Sequence, residues 1–278
     1  MLPKIILTIF CLSYYFTAGL AINVGYHRAL SHRSFKLKKW LERIFITLGL
    51  PAGTPVQWVG NHRFHHQNTD NSLDPHSPLY GGFWHSHVGW YINSHNPYIC
   101  FFYSLAGPLR MLFDGWNRPR SNQQYNYLAK DISQDPYYRI ISQPIPFFIA
   151  CLLHVVLPFA FVYYLADGFG IAMLWLTLVI VYNLGDAIDS IAHMWGSRPF
   201  ITKHFGSNNI FLGYLALGEG WHANHHTFPD SAKFGLFPGQ FDWAWQVICL
   251  LKFLGLASQV NTPNPEKISK KLLKPLES

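Results

Sequence analysis

His62-Arg63-Phe64-His65-His66 is the stretch whose reading decides this chain, and His222-Ala223-Asn224-His225-His226 repeats its spacing. A third box, His27-Arg28-Ala29-Leu30-Ser31-His32, precedes both. Together they hold eight of the fifteen histidines, in a chain that is 50% hydrophobic. Imidazole is a good ligand for first-row metals, and gathering so many near a membrane is costly unless a cation binds them. On a helix the positions i, i+3 and i+4 share a face, so three nitrogens of each later box can converge on one side. The i and i+5 spacing of the first box suits a helix end that loosens as the chain leaves a bilayer. Three such boxes in one chain point to a metal site.

The composition indicates where that site sits. Of 278 residues, 17% are aromatic and only 13% charged, about half the charge of soluble domains. Strongly apolar runs with so little charge indicate an integral membrane protein, in one domain over residues 1–278. Residues 5–24, 145–166 and 169–187 are each near the roughly 20 residues that a spanning helix needs. The last two read as an antiparallel hairpin with a tight polar turn, and Pro158 predicts a kink in its first arm. Residues 41–50 and 98–113 are shorter apolar stretches interrupted by Pro51, Pro55, Gly107 and Pro108, and read as re-entrant or surface-lying helices. Residues 241–257 read as an interfacial amphipathic helix, and 262–278 as a polar tail. The four cysteines are far apart, form no Cys-x-x-Cys, and read as buried thiols.

Charge orients the hairpin. Its turn carries no Lys or Arg, while every Lys and Arg except Lys4 lies on the opposite side with the histidine boxes. By the positive-inside rule that face is cytoplasmic. The net charge of +7 then forms a basic surface suited to anionic lipid headgroups or acidic redox partners. No nucleic-acid-binding motif accompanies the charge. Lys4, the apolar run after it and Gly19-Leu20-Ala21 mimic a cleaved secretory signal. A retained helix that delivers His27 to the interface is the better reading, because cleavage would remove the anchor of the first box.

The run Gly60-Asn61-His62-Arg63-Phe64-His65-His66, with Asp74-Pro75-His76 and Ser86-His87-Val88-Gly89-Trp90 after it, resembles the membrane fatty acid desaturases of the delta-9 type. So does Gly218-Glu219-Gly220-Trp221-His222-Ala223-Asn224-His225-His226-Thr227-Phe228-Pro229, and the similarity extends over residues 23–235. The resemblance implies an all-α, mushroom-like membrane fold with a cytoplasmic cap. It also implies a non-haem centre of two iron ions cycling between Fe2+ and Fe3+, with dioxygen as oxidant. The implied metal ligands are His27, His32, His62, His65, His66, His222, His225 and His226, with His193 of Ser190-Ile191-Ala192-His193 as a ninth.

Two departures stand out. Relatives usually carry Asn four residues before the ninth histidine, where this chain has Asp189. On a helix Asp189 and His193 share a face, so the carboxylate could bind iron or hold a bound water. Relatives also usually have a membrane helix before the one that carries the first box, which puts bilayer anchoring or a wall of the acyl tunnel in question. Glu219, Asp70, Asp74, His76 and His87 are candidates to orient ligand imidazoles.

Attack on an unactivated methylene requires a redox metal, since no side chain is oxidising enough. With only four glutamates in the chain, a carboxylate-rich di-iron bundle is excluded and a histidine-rich one is required. No His-Glu-x-x-His indicates a zinc protease. Trp58, Trp84, Trp90, Trp195 and Trp221 could line an acyl tunnel, and Arg110, Arg118, Arg120 and Arg198 could hold a phosphate of a lipid, coenzyme A or carrier protein. Electrons would come from a separate donor such as ferredoxin or cytochrome b5, docking on the basic face. The expected activity is desaturation of a lipid-, coenzyme A- or carrier-bound acyl chain. A hydroxylase or acetylenase with the same site is the alternative, followed by a non-catalytic metal-binding membrane protein.

Overall fold

The computed structural model describes residues 2–273. Two helical tracts are long and apolar enough to cross a membrane, Leu2–Ser31 and Pro144–Met194. The second contains a helix, Pro144–Asp189, of 46 residues. Straight, it would reach about 70 Å, more than twice the hydrocarbon core of a bilayer. It is not straight. Ala166 and Asp167 leave helical geometry, Asp167 with φ 48°, and the two arms fold back on each other. Leu178 packs with Phe147 and Cys151, and Leu174 with Val162. A Cβ on Gly170 would stand 2.1 Å from the Val162 carbonyl oxygen, so this turn closes only with glycine there. Helical dihedrals are kept through Pro158, and the chain leaves them eight residues later, at the expected turn.

The shorter apolar stretches are helices Lys39–Gly49, Pro97–Ser104 and Pro108–Asn117, the last two parted at Gly107 (φ 52°). The expected helix over 241–257 is shorter, Trp243–Phe253. Gly255 at φ 71° turns the chain, and Ala257–Ser258 pairs antiparallel with Lys36–Leu37 in a two-stranded sheet. The described part of the polar tail is docked rather than loose: Phe200 bridges to Leu272, and Lys271 Nζ donates to the Thr227 carbonyl at 3.0 Å. Cys11, Cys100 and Cys151 are buried and Cys249 half-buried, all as free thiols.

Charge is buried where the apolar helices meet. Arg110 Nη1 and Nη2 clasp Asp186 at 2.6 and 3.0 Å, and Tyr91 donates to the same carboxylate at 3.1 Å. Asp114 stands between Arg110 and Arg118, with Nε contacts of 3.7 and 3.4 Å, and accepts from the Tyr103 hydroxyl. Arg110 and Arg118, both candidates for holding a phosphate, are thus paired with buried carboxylates. Arg120 lies over Trp116 and Arg198 over Phe205.

The Arg110–Asp186 clasp couples the hairpin to the Pro108–Asn117 helix. Asp186→Leu should cost about 3–5 kcal/mol by stranding a buried guanidinium, read as a lower thermal midpoint in detergent. Arg110→Met/Asp186→Leu should recover most of that loss.

Candidate metal centre

The first box owes its geometry to an uncommon helix. Ala21–Ser31 winds as a π-helix, and the His32 amide donates to the His27 carbonyl at 3.1 Å, an i to i+5 bond. In an α-helix residues five apart point about 140° away from each other. The wider π turn brings His27 and His32 together, with ring centroids 4.9 Å apart. The second box rides on helix Pro55–Asn68, which Pro55 begins and the Thr54 hydroxyl caps at the Gln57 amide. The third is the six-residue helix His222–Thr227, too short to hold itself. Asn224 pins it, donating to the Phe234 carbonyl and Gln240 at 2.6 and 2.7 Å and accepting from Asn208 at 2.7 Å.

The nine expected histidines gather in two adjoining groups. His27, His32, His62, His66 and His225 form one, and His65, His193, His222 and His226 the other. Three nitrogens of a box do not converge on one side, as the helical spacing suggested. In each later box the i and i+4 imidazoles enter one group and the i+3 imidazole enters its neighbour: His62 and His66 join His225, while His222 and His226 join His65. The exchange is reciprocal, so neither group can be built without both helices.

Carboxylates hold the rings from behind. Nδ1 of His27 donates to Glu219, Nδ1 of His65 to Asp74 at 2.9 Å, and Nδ1 of His193 to Asp70 at 3.1 Å. A proton placed on Nδ1 leaves Nε2 a bare lone pair. The Nε2 atoms then face one another at close range. His27 to His225 is 3.0 Å, His32 to His62 2.7 Å and His66 to His225 2.9 Å, while His193 to His222 is 2.9 Å and His222 to His226 3.0 Å. With metal–nitrogen bonds of about 2.1 Å, nitrogens at right angles about an ion stand about 3.0 Å apart. Burial, then neighbouring cationic groups, lowers His32, His62, His66, His222, His225 and His226 well below the usual imidazole range, so their neutral forms are favoured. Bare, neutral, converging nitrogens fit divalent iron, a borderline ion suited to imidazole.

Two arginines lock the boxes to each other. Arg28, fully buried, bonds Glu219 at 3.2 Å, Asp242 at 3.0 Å and the Ala232 carbonyl at 2.9 Å, and lies over Phe234. Arg63 donates to the Ser31 and Leu30 carbonyls at 3.0 and 2.9 Å and to Asp131 at 2.6 Å. The box sequences contain Arg28 and Arg63 without marking them, or distant Asp242, as parts of the site. A charge set directly after the first histidine of a box was the available signal.

The other candidates occupy distinct places. Asp74 also accepts the Asp70 and His76 amides. Burial raises Asp70, but His193 and the Phe205 amide outweigh it and hold the carboxyl at about 2. Burial likewise raises Glu219, and His27 and Arg28 bring it below its ordinary value. His76 stacks on His65 with centroids 4.2 Å apart. His87 touches neither group. Its Nδ1 pairs with Ser190 at 2.9 Å and its Nε2 with Asn183 at 3.1 Å, joining it to the apolar hairpin. The long helix ends at Asp189 and a new one starts at Ile191. Asp189 stands on a cavity wall and belongs to neither histidine group.

That cavity runs from His27, His62, His65 and His222 between the N-terminal tract and residues 178–189, past Ile22, Ala18 and Tyr14 to Leu178 and Met111. Including its open mouth it encloses about 1520 Å³. Trp58 and Trp90 line it, whereas Trp84, Trp195 and Trp221 do not.

The family model described as fatty acid desaturase matches residues 4–246. Among curated proteins, the chain is 35% identical over 263 residues to "Probable lipid desaturase ADS3.2, chloroplastic" of Arabidopsis thaliana, covering 93% of this chain and 64% of that one. It is 36% identical to "Acyl-CoA C20 Delta5-desaturase" of Anemone leveillei, covering 91% and 73% of the two chains. It is 35% identical to "Delta-9 acyl-lipid desaturase 1" of Arabidopsis thaliana, covering 90% and 73%.

Asp74→Asn should weaken metal binding about 10–100-fold while the helices remain, because the ring behind it loses its anionic acceptor. Competition with a chelator measures it. Burial holds His65 at about 4 against an ordinary 6.5, and an unfolded chain takes up that proton below about pH 6.5. Stability of the metal-free chain should therefore be level above that pH and fall as pH drops toward 4, seen in thermal midpoints across a pH series.

Proposed function

This chain is a member of the fatty acid desaturase family, and on that premise we propose that it is a dioxygen-dependent di-iron acyl desaturase of the delta-9 type. The observation that carries the reading is the pair of histidine groups opening on the metal side of an apolar cavity. His27, His32, His62, His66 and His225 would hold one iron, and His65, His193, His222 and His226 the other. When bound, that pair supplies the oxidising power to remove two hydrogens from neighbouring methylenes, which no side chain has.

The chain's own residues bind and position. Ala18, Ile22, Leu178 and Met111 give a methylene chain an apolar path, with Trp58 beside it at the histidine end. An alkyl chain has no polar handle, so the wall sets which methylenes lie against His62, His65 and His222. The same wall excludes water from the reacting carbons. Glu219, Asp74 and Asp70 keep the Nδ1 protons of His27, His65 and His193 in place, so their Nε2 atoms stay directed inward. Asp189 and His76, on the wall near His65, would hold a water on the metal side of the cavity rather than along the alkyl path.

The substrate in this reading is an acyl chain carried on a lipid, coenzyme A or a carrier protein, and the reductant is a separate ferredoxin or cytochrome b5. The one-sided placement of Lys and Arg supports an active site facing the cytoplasm from a single membrane-embedded domain.

Expression in a host with a ferredoxin or cytochrome b5 system, followed by gas chromatography of derivatised fatty acids, tests the reading. A new monoene, absent with His66→Ala and with His222→Ala, is expected and gives the double-bond position. A hydroxylated chain in its place would move the protein to the hydroxylase class. An unchanged profile from an iron-loaded chain with an active donor would overturn the proposal.

A further inference from the structure

The histidine groups have two sides. His27, His62, His65 and His222 line the acyl cavity, whereas His193 and His226 do not. On that second side lies His204, a histidine with no part in the boxes. Its ring centroid is 5.0 Å from that of His226, the same spacing as His193 to His226 within the group. Both its ring nitrogens are buried and lack any hydrogen-bond partner among the described residues. A histidine serving only the fold would be bonded, as His87 is, since an unpaired buried polar atom costs stability.

His204 sits in a loop closed over the four-histidine group. The Phe205 amide donates to Asp70 at 2.6 Å, and the Ser207 amide and hydroxyl donate to the Ala192 carbonyl at 2.7 and 2.8 Å. The loop's outer surface is cationic. Arg198 and Lys203 are exposed on it, and exposed Lys271 is brought alongside by the Ile201 amide, which donates to the Lys271 carbonyl at 2.8 Å. Lys271 in turn bonds the Thr227 carbonyl, next to His226 in the chain. Among the described residues, Asp70 beneath the loop is buried and already engaged by His193, Ser77 and the Phe205 amide.

We propose that the Arg198–Lys203–Lys271 surface docks an acidic one-electron carrier protein, and that His204 carries its electrons to the four-histidine group through contact with His226. The inference rests on the redox reading above and locates its reductant. Desaturation with one O2 yields two waters, so besides the two electrons and two protons taken from the acyl chain it consumes two more of each. The carrier supplies those electrons singly, each carrier being oxidised as it does so, and solvent supplies the protons. Substrate and reductant then approach from opposite sides. The ring contact at His204 joins the protein surface to a buried ligand, and complementary charge brings an acidic partner over it.

Stopped-flow oxidation of reduced plant-type [2Fe–2S] ferredoxin by the iron-loaded full chain tests this, with cytochrome b5 as a second carrier and the small neutral reductant duroquinol for comparison. Arg198→Glu/Lys203→Glu should lower the second-order rate with ferredoxin about tenfold or more at low salt, a difference that collapses at high ionic strength. His204→Ala should lower the limiting rate at saturating ferredoxin, and His204→Phe, which restores a ring against His226, should recover much of it. The ratio of ferredoxin-driven to duroquinol-driven rates, with iron content, separates these effects from a loosened fold. A wild-type rate in the charge-reversed chain, or in His204→Ala, overturns the proposal. So does a wild-type chain that oxidises neither carrier yet desaturates with duroquinol, an outcome that leaves the desaturase reading standing. A chain that binds no iron overturns both.

Discussion

Nine imidazole Nε2 atoms held face to face are the constraint on which the rest of this structure depends. Neutral lone pairs at about 3 Å repel unless something positive stands between them, and burial keeps protons from doing so. The protein therefore surrounds the groups with fixed negative charge. Glu219, Asp70 and Asp74 sit behind the rings, where they orient Nδ1 and offset the charge of bound cations. Those carboxylates need partners of their own, and Arg28 answers Glu219 and Asp242 together. Around Glu219 the polar interior is thus layered: imidazole inside, carboxylate behind it, guanidinium outside.

The reciprocal sharing of the boxes makes the two groups one unit. Because adjacent residues on a helix diverge by about 100°, His65 and His66 cannot point into the same group, nor can His225 and His226. Placing two groups side by side turns that divergence into use. A displacement of either helix alters both groups, and this explains why short elements such as His222–Thr227 are fastened by so many side-chain bonds around Asn224.

Much of the fold was legible along the chain. The apolar tracts, the hairpin turn at Ala166–Asp167 and the histidine clustering follow from local composition and spacing, which act over a few residues. What was not legible involves partners far apart in sequence. Arg110 reads as a basic residue near a membrane, but its bidentate partner Asp186 lies 76 residues away and makes it an internal clasp. The close approach of the hairpin arms depends on glycine at position 170, opposite the Val162 carbonyl. Nothing in its local sequence marks His204, and only the loop places it against His226.

The sequence by itself determined the chemistry available: imidazole as the ligand, apolar tracts for a membrane, and two or more metal-binding helices. The tertiary structure decided how that chemistry is divided. Which imidazole joins which group, which carboxylate stands behind each ring, and which side faces the cavity all depend on the relative rotation of helices brought together from residues 21–31, 55–68, 191–194 and 222–227. Spacing within one helix cannot encode that rotation, because it is set by packing between helices and by long-range ion pairs such as Arg28 with Glu219.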